Sequence, residues 1–92
     1  MKFVYPAILK ELNDGSCRGW IPDLEGCEAE GPSEESVMRE LKQEMNGWIL
    51  TELEEEDGEL PVWSIDEHSK VGSGERVQLL AVNVRFVDGY DE

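Results

Sequence analysis

Carboxylates are the most abundant reactive groups in this chain: 22 of its 92 residues are Asp or Glu, against eight Lys and Arg. Converging acids could hold two metal ions for phosphodiester cleavage, and such a site draws them from strand positions that share one face. The first extended run, Phe3 to Leu9, offers no acid. Glu28 and Glu30 share a face but read as the solvated side of an edge strand. His68 is the single histidine, in a polar stretch beside Asp66 and Glu67. One imidazole does not make a metal site, and an acid–base role needs a pocket. Cys17 and Cys27 lack a C-x-x-C pattern and read as free, partly buried thiols. Gly72-Ser73-Gly74 has no following lysine and does not read as a phosphate loop. No catalytic residue, metal or cofactor is expected.

The net charge of −14 excludes a basic patch for nucleic acid and attraction to an anionic membrane surface. It leaves a cationic protein partner, a metal, or simple solubility. Apolar runs are short, the longest unbroken one being Leu79 to Val82, so no transmembrane helix is expected. The N-terminus carries one lysine and no A-x-A-like site, which argues against a signal peptide and for a cytoplasmic protein.

The elements follow from pattern. Phe3 to Leu9 is β-branched and aromatic and reads as a strand; Pro6 within it needs its nitrogen turned away from a neighbour, or a bulge. Asp14-Gly15 between extended runs predicts a two-residue type I′ hairpin. That turn would pair Leu12 with Cys17, Glu11 with Arg18, Leu9 with Trp20 and Ile8 with Ile21. Pro22 ends the second strand, Asp23 to Gly26 is a turn, and Cys27 to Gly31 alternates as a third, half-exposed strand. Ser33 is the expected N-cap of a helix whose stripe is Val37, Leu41, Met45, Trp48 and Glu52 or Leu53. Gly47 inside it suggests close approach to a sheet. The helix should fray in the acidic stretch Glu52 to Glu59 and stop at Leu60-Pro61. A polar loop over 62–75 follows, then Val77 to Val87, apolar almost throughout, reads as a strand buried between neighbours. The expected class is α+β, in the order β-β-β-α-β, with one helix on one face of a mostly antiparallel sheet. It forms one domain over 1–92, with a core of about 2–87 and a loose acidic tail over 88–92.

Tyr5-Pro6-Ala7, Asp14-Gly15 and above all Pro22-Asp23-Leu24-Glu25-Gly26-Cys27 followed by Gly31 resemble the HicB antitoxin family. That family carries Y-P-A near its start, D-G at a hairpin and then F-P-D-L-P-G-C. Ile21 stands here for the usual aromatic, Glu25 for the second proline, Pro32 for an aspartate and Ser36 for an acid of the first helical turn. The resemblance covers about Lys2 to Phe86 and implies a partial RNase H-like fold with the fourth strand beside the first. It also implies an intracellular antitoxin that occludes a small basic mRNA-cleaving toxin of the HicA type. Many members carry a C-terminal DNA-binding segment; only six residues follow Phe86 here, so no direct nucleic-acid contact is expected.

Under that reading the partner-binding candidates are Trp63 as an anchor and Glu54, Glu55, Glu56 and Asp57 as an acidic docking surface. Trp20 is a second aromatic candidate, for an interface or the core. Val4, Ile8, Leu9 and Trp20 are candidates for a core or oligomer face. Tyr5, Ala7 and Leu9 point one way and Val4 and Ile8 the other, yet one helix covers one face, so a homodimer or larger homo-oligomer is expected. An oligomeric HicB-like binding module without a toxin is the alternative, and an RNase H-like nuclease the third.

Overall fold

The structure is a computed structural model that describes residues 2–55 and 59–84. Strands β1 (Lys2–Glu11), β2 (Cys17–Trp20) and β3 (Glu28–Gly31) precede helix α1 (Glu34–Leu53) and strand β4 (Glu75–Asn83). The sheet order is β3-β2-β1-β4, and all three pairings are antiparallel. The α+β class and the element order are those expected. No helix among the described residues is long and apolar enough to cross a membrane.

The hairpin departs from expectation by one residue. A type I′ turn needs positive φ at both central positions. Gly15 has φ +90°, whereas among the described residues none other than glycine has positive φ. The Leu12 carbonyl accepts from Gly15 N–H at 3.0 Å, and Leu12 N–H donates to the Ser16 carbonyl at 2.8 Å. The loop therefore holds three residues, Asn13-Asp14-Gly15, with Gly15 supplying the left-handed bulge. Ser16 donates its N–H (3.0 Å) and hydroxyl (2.6 Å) to Asp14 Oδ1, which lowers the pKa of that carboxyl. The pairs become Glu11 with Cys17, Lys10 with Arg18, Leu9 with Gly19 and Ile8 with Trp20. Arg18, now opposite a lysine, turns to Glu28 at 3.3 Å and lies 5.0 Å from the centroid of the Trp20 ring.

Tyr5, Ala7 and Leu9 face α1, and the helix stripe against them is Val37, Leu41, Met45 and Ile49, all buried. The four-residue spacing is uniform, so Ile49 takes the place expected for Trp48. Trp48 is half-buried at the helix flank and donates its indole N–H to the Glu25 carbonyl at 3.1 Å. The N-cap is Ser33, and Ser36 completes a capping box: each side chain accepts from the other's backbone N–H, at 3.2 and 3.3 Å. The departure at Ser36 thus costs the cap little, because a hydroxyl reaches the same donor. The helix ends at Leu53 with Glu54 as C-cap and no basic residue in its last turn.

Close approach of helix and sheet occurs at Gly19, not at Gly47. A Cβ on Gly19 would lie 2.8 Å from Leu9, 2.9 Å from Leu41 and 2.9 Å from Val37. A Cβ on Gly47 would meet open space. Gly47→Ala is therefore expected to stabilise the fold by about 0.5–1 kcal/mol, because glycine loses more backbone freedom in a helix. Thermal unfolding should show a midpoint several degrees higher; an unchanged or lower midpoint would contradict the open setting of this glycine.

β4 is an edge strand, contrary to the expected central position. Its apolar character serves two faces at once: Leu80 and Val82 are buried toward α1, while Val77, Leu79 and Ala81 are half-buried on the other face. Phe86, Val87 and the tail 88–92 lie outside the described residues. The central strand is β1. The Val4 carbonyl points away from β4, toward the side where β2 has already ended, as its bond to Trp63 shows. By strand alternation the Pro6 nitrogen points the same way, so no ladder donor is missing. Pro6 and Ile8, on the face away from α1, are buried within one chain. The face expected to need a second chain is thus partly covered already.

Candidate docking surface

The connection between α1 and β4 is held at both ends of β1. Glu11 N–H donates to the Gly74 carbonyl at 3.4 Å at one end. At the other, three long-range hydrogen bonds converge on residues 61–64. The Tyr5 hydroxyl donates to the Pro61 carbonyl, Trp63 Nε1 donates to the Val4 carbonyl at 2.9 Å, and Ser64 N–H donates to both oxygens of Asp23 at 3.0 Å. Burial, with the Asp23 carboxylate nearby, pushes the Tyr5 phenol above its ordinary value. It remains a protonated donor at neutral pH.

Two residues of the quoted motifs, Tyr5 and Asp23, therefore fix the same segment. The others build the turn that presents Asp23. Ile21 N–H donates to the Cys27 carbonyl, Leu24 N–H to Ile21 and Cys27 N–H to Leu24, each at 3.0 Å. Leu24 and Cys27 are buried, and Gly26 holds φ +88°. Gly31 lets β3 run close under the helix start, where a Cβ would lie 2.7 Å from the Ser36 hydroxyl. Pro22, at the strand end, starts that turn.

What the pinned segment displays is apolar. Val62 (84% exposed) and Trp63 (42% exposed) are the exposed large hydrophobic residues among the described ones. Sequence reasoning found Trp63 and missed Val62, whose type gives no signal outside the loop's setting. The tryptophan ring is oriented by its bond to Val4 and keeps a large part of its surface in solvent. Glu54 and Glu55, exposed at the end of α1, lie just before this segment in the chain, as does exposed Glu59. Glu56 and Asp57 lie outside the described residues. Trp20 sits elsewhere, half-buried on the face away from α1 beside Arg18. Val4 and Ile8 share that face, whereas Leu9 belongs to the helix-facing core.

The groups with catalytic potential stay apart. Among the described residues, no cluster of three or more His, Cys, Asp or Glu side chains is placed to hold a metal ion. His68 is exposed in the loop, with the Glu67 carboxylate 4.0 Å from its Nε2. Cys17 and Cys27 are free and buried. Burial pushes the Cys27 thiol up to about 11, with Glu44 adding to the shift, and also raises that of Cys17. Neither is a thiolate nucleophile at neutral pH.

No protein-family model matches this chain, and no curated protein matches it.

Proposed function

We propose that this chain is a HicB-like antitoxin that binds a small basic HicA-type toxin and occludes it without catalysis. The observation that carries the reading is the Val62–Trp63 display. An oriented aromatic anchor with an apolar neighbour, preceded in the chain by exposed acids, matches the chemistry of an interface hot spot for a cationic partner. The element order and the place of β4 beside β1 are those that the HicB resemblance implies. The reading places the protein in the cytoplasm, where its toxin would cleave mRNA, and assigns it no nucleic-acid contact of its own.

Opposite net charges should speed encounter, and exposed acids affect on-rate more than final affinity. The test is whether a short, strongly basic reading frame with a histidine lies next to this gene, followed by stopped-flow association with its product. Raising salt from about 50 to about 500 mM shortens the Debye length from roughly 14 to 4 Å. Association should slow severalfold while dissociation changes much less. Neutralising Glu54, Glu55, Glu56 and Asp57 together should reproduce the slowing at low salt. An unchanged association rate would remove the acidic stretch from the docking surface. The absence of a basic partner gene, or of any complex with its product, would favour the binding module without a toxin. Metal-dependent nuclease activity that survives purification and is lost on mutating one carboxylate would overturn both.

A further inference from the structure

The longest unpaired edge among the described residues is the outer side of β4, with which no strand pairs. Because Val4 turns its backbone away from β4, its register partner Ala81 turns its own outward. By alternation Val77, Leu79 and Asn83 do the same. The Leu79 and Asn83 carbonyls each accept one bond, from the side-chain amides of Gln78 (3.3 Å) and Asn46 (3.2 Å), and each keeps a second lone pair. The outward N–H groups of Val77, Leu79, Ala81 and Asn83 remain as a row of donors, with the Val77 and Ala81 carbonyls as acceptors. Protective devices for such an edge are proline, a bulge or inward-pointing charge. From Val77 to Asn83 there is none of these, and in a chain of net charge −14 this strip carries no charge at all.

The charges that flank the strip are self-complementary. Beside its start stand Glu34, paired with Arg76, and Glu35 one residue further along α1. Beside its end Arg39 and Lys42 line a shallow groove with Asn46, Ala81, Val82 and Asn83. Helix and strand run the same way, since Glu34 meets Arg76 and Asn46 meets Asn83. A second strand laid antiparallel on β4 by a two-fold axis would bring the acidic start of one copy toward the basic end of the other.

We infer that two copies of this chain pair antiparallel along the outer edge of β4, with Leu79 of each copy at the two-fold axis. Val77 then pairs with Ala81 of the second copy, and the two four-stranded sheets become one. The half-buried row Val77, Leu79 and Ala81 doubles into a continuous apolar seam. This inference is independent of the antitoxin reading.

The test is the mass of the protein in solution by sedimentation at about 10–100 μM. The parent should run at twice the monomer mass. Leu79→Pro deletes an outward N–H at the centre of the seam, which an edge strand tolerates on its solvent side; this variant should be monomeric with an unchanged far-UV spectrum. Ala81→Lys, which changes no backbone group, should also be monomeric and stands in if the proline variant unfolds. Leu79→Cys should give a disulfide-linked dimer on mild oxidation, since hydrogen-bonded pairs have Cα atoms about 5.5 Å apart. The parent, with both of its thiols buried, should give none. A monomeric parent overturns the inference. So does a dimer that survives both edge variants but dissociates on Val4→Lys, which would move the contact to the sheet face.

Discussion

Truncating Trp63 to alanine is expected to raise the rate of dissociation from a HicA-type toxin about 30- to 1,000-fold, or about 2–4 kcal/mol. The magnitude follows from geometry. The ring is oriented by its bond to the Val4 carbonyl, so little side-chain entropy remains to be lost on docking, while much of its surface is still open to cover. The salt dependence of association should be spared, because no charge changes. Trp63→Phe separates orientation from area: it keeps most of the ring but loses the indole donor, and should fall between parent and alanine. Circular dichroism should show all three folded, as the residue is outside the core. A dissociation rate within twofold of the parent for Trp63→Ala would remove the Val62–Trp63 surface from the interface, and with it the main support for the proposed function.

The largest effect on stability is expected at the contact between helix and hairpin. Leu41 is fully buried, and Leu41→Ala should cost about 2–5 kcal/mol, a fall of more than about 10 °C in the unfolding midpoint. Gly19→Ala should cost about 1–3 kcal/mol by overpacking, since its new methyl would meet Leu9, Leu41 and Val37 inside 3 Å. The two changes share one space, so they should not add. Removing the Leu41 branch gives the methyl introduced at position 19 room on one side, and the double variant should be more stable than the sum predicts by about 1 kcal/mol. Denaturant melts of the four proteins give the coupling directly. Strict additivity would show that the helix relaxes away from the sheet rather than holding its distance.

The elements themselves were legible because their signals are local: alternation over Phe3 to Leu9, a serine cap, a four-residue stripe. The errors arise where a local signal is compatible with two geometries. Asp-Gly suits a two-residue and a three-residue loop equally, and the choice lies in the φ of Asp14, which residue type does not fix. Trp48 and Ile49 both continue a three- or four-residue spacing, and the helix resolves the choice by keeping the smaller side chain inside. Val77 to Val82 is apolar on both faces, which suits a central strand and also an edge strand with both faces partly covered. For the docking surface, Trp63 could be picked by type. The bonds from Tyr5 and Asp23 that present it join residues 56 and 41 positions apart, and no spacing rule reaches that far.

The place of β1 in the sheet also sets an order of assembly. It is the first strand in the chain and lies between the second and the last. Its pairing with β2 closes a three-residue loop, whereas its pairing with β4 closes one of about 60 residues, at an extra entropic cost of roughly 2.7 kcal/mol. The hairpin can therefore form alone, but the Tyr5, Asp23 and Val4 bonds to residues 61–64 wait for the long loop to close. The surface that presents Trp63 is then the last part of the molecule to assemble and the first to open. Amide exchange should show the inward-bonded β4 amides and the pinned segment opening together, at lower free energy than the β1–β2 amides. Equal protection across all four strands would mean that the sheet opens only as a whole.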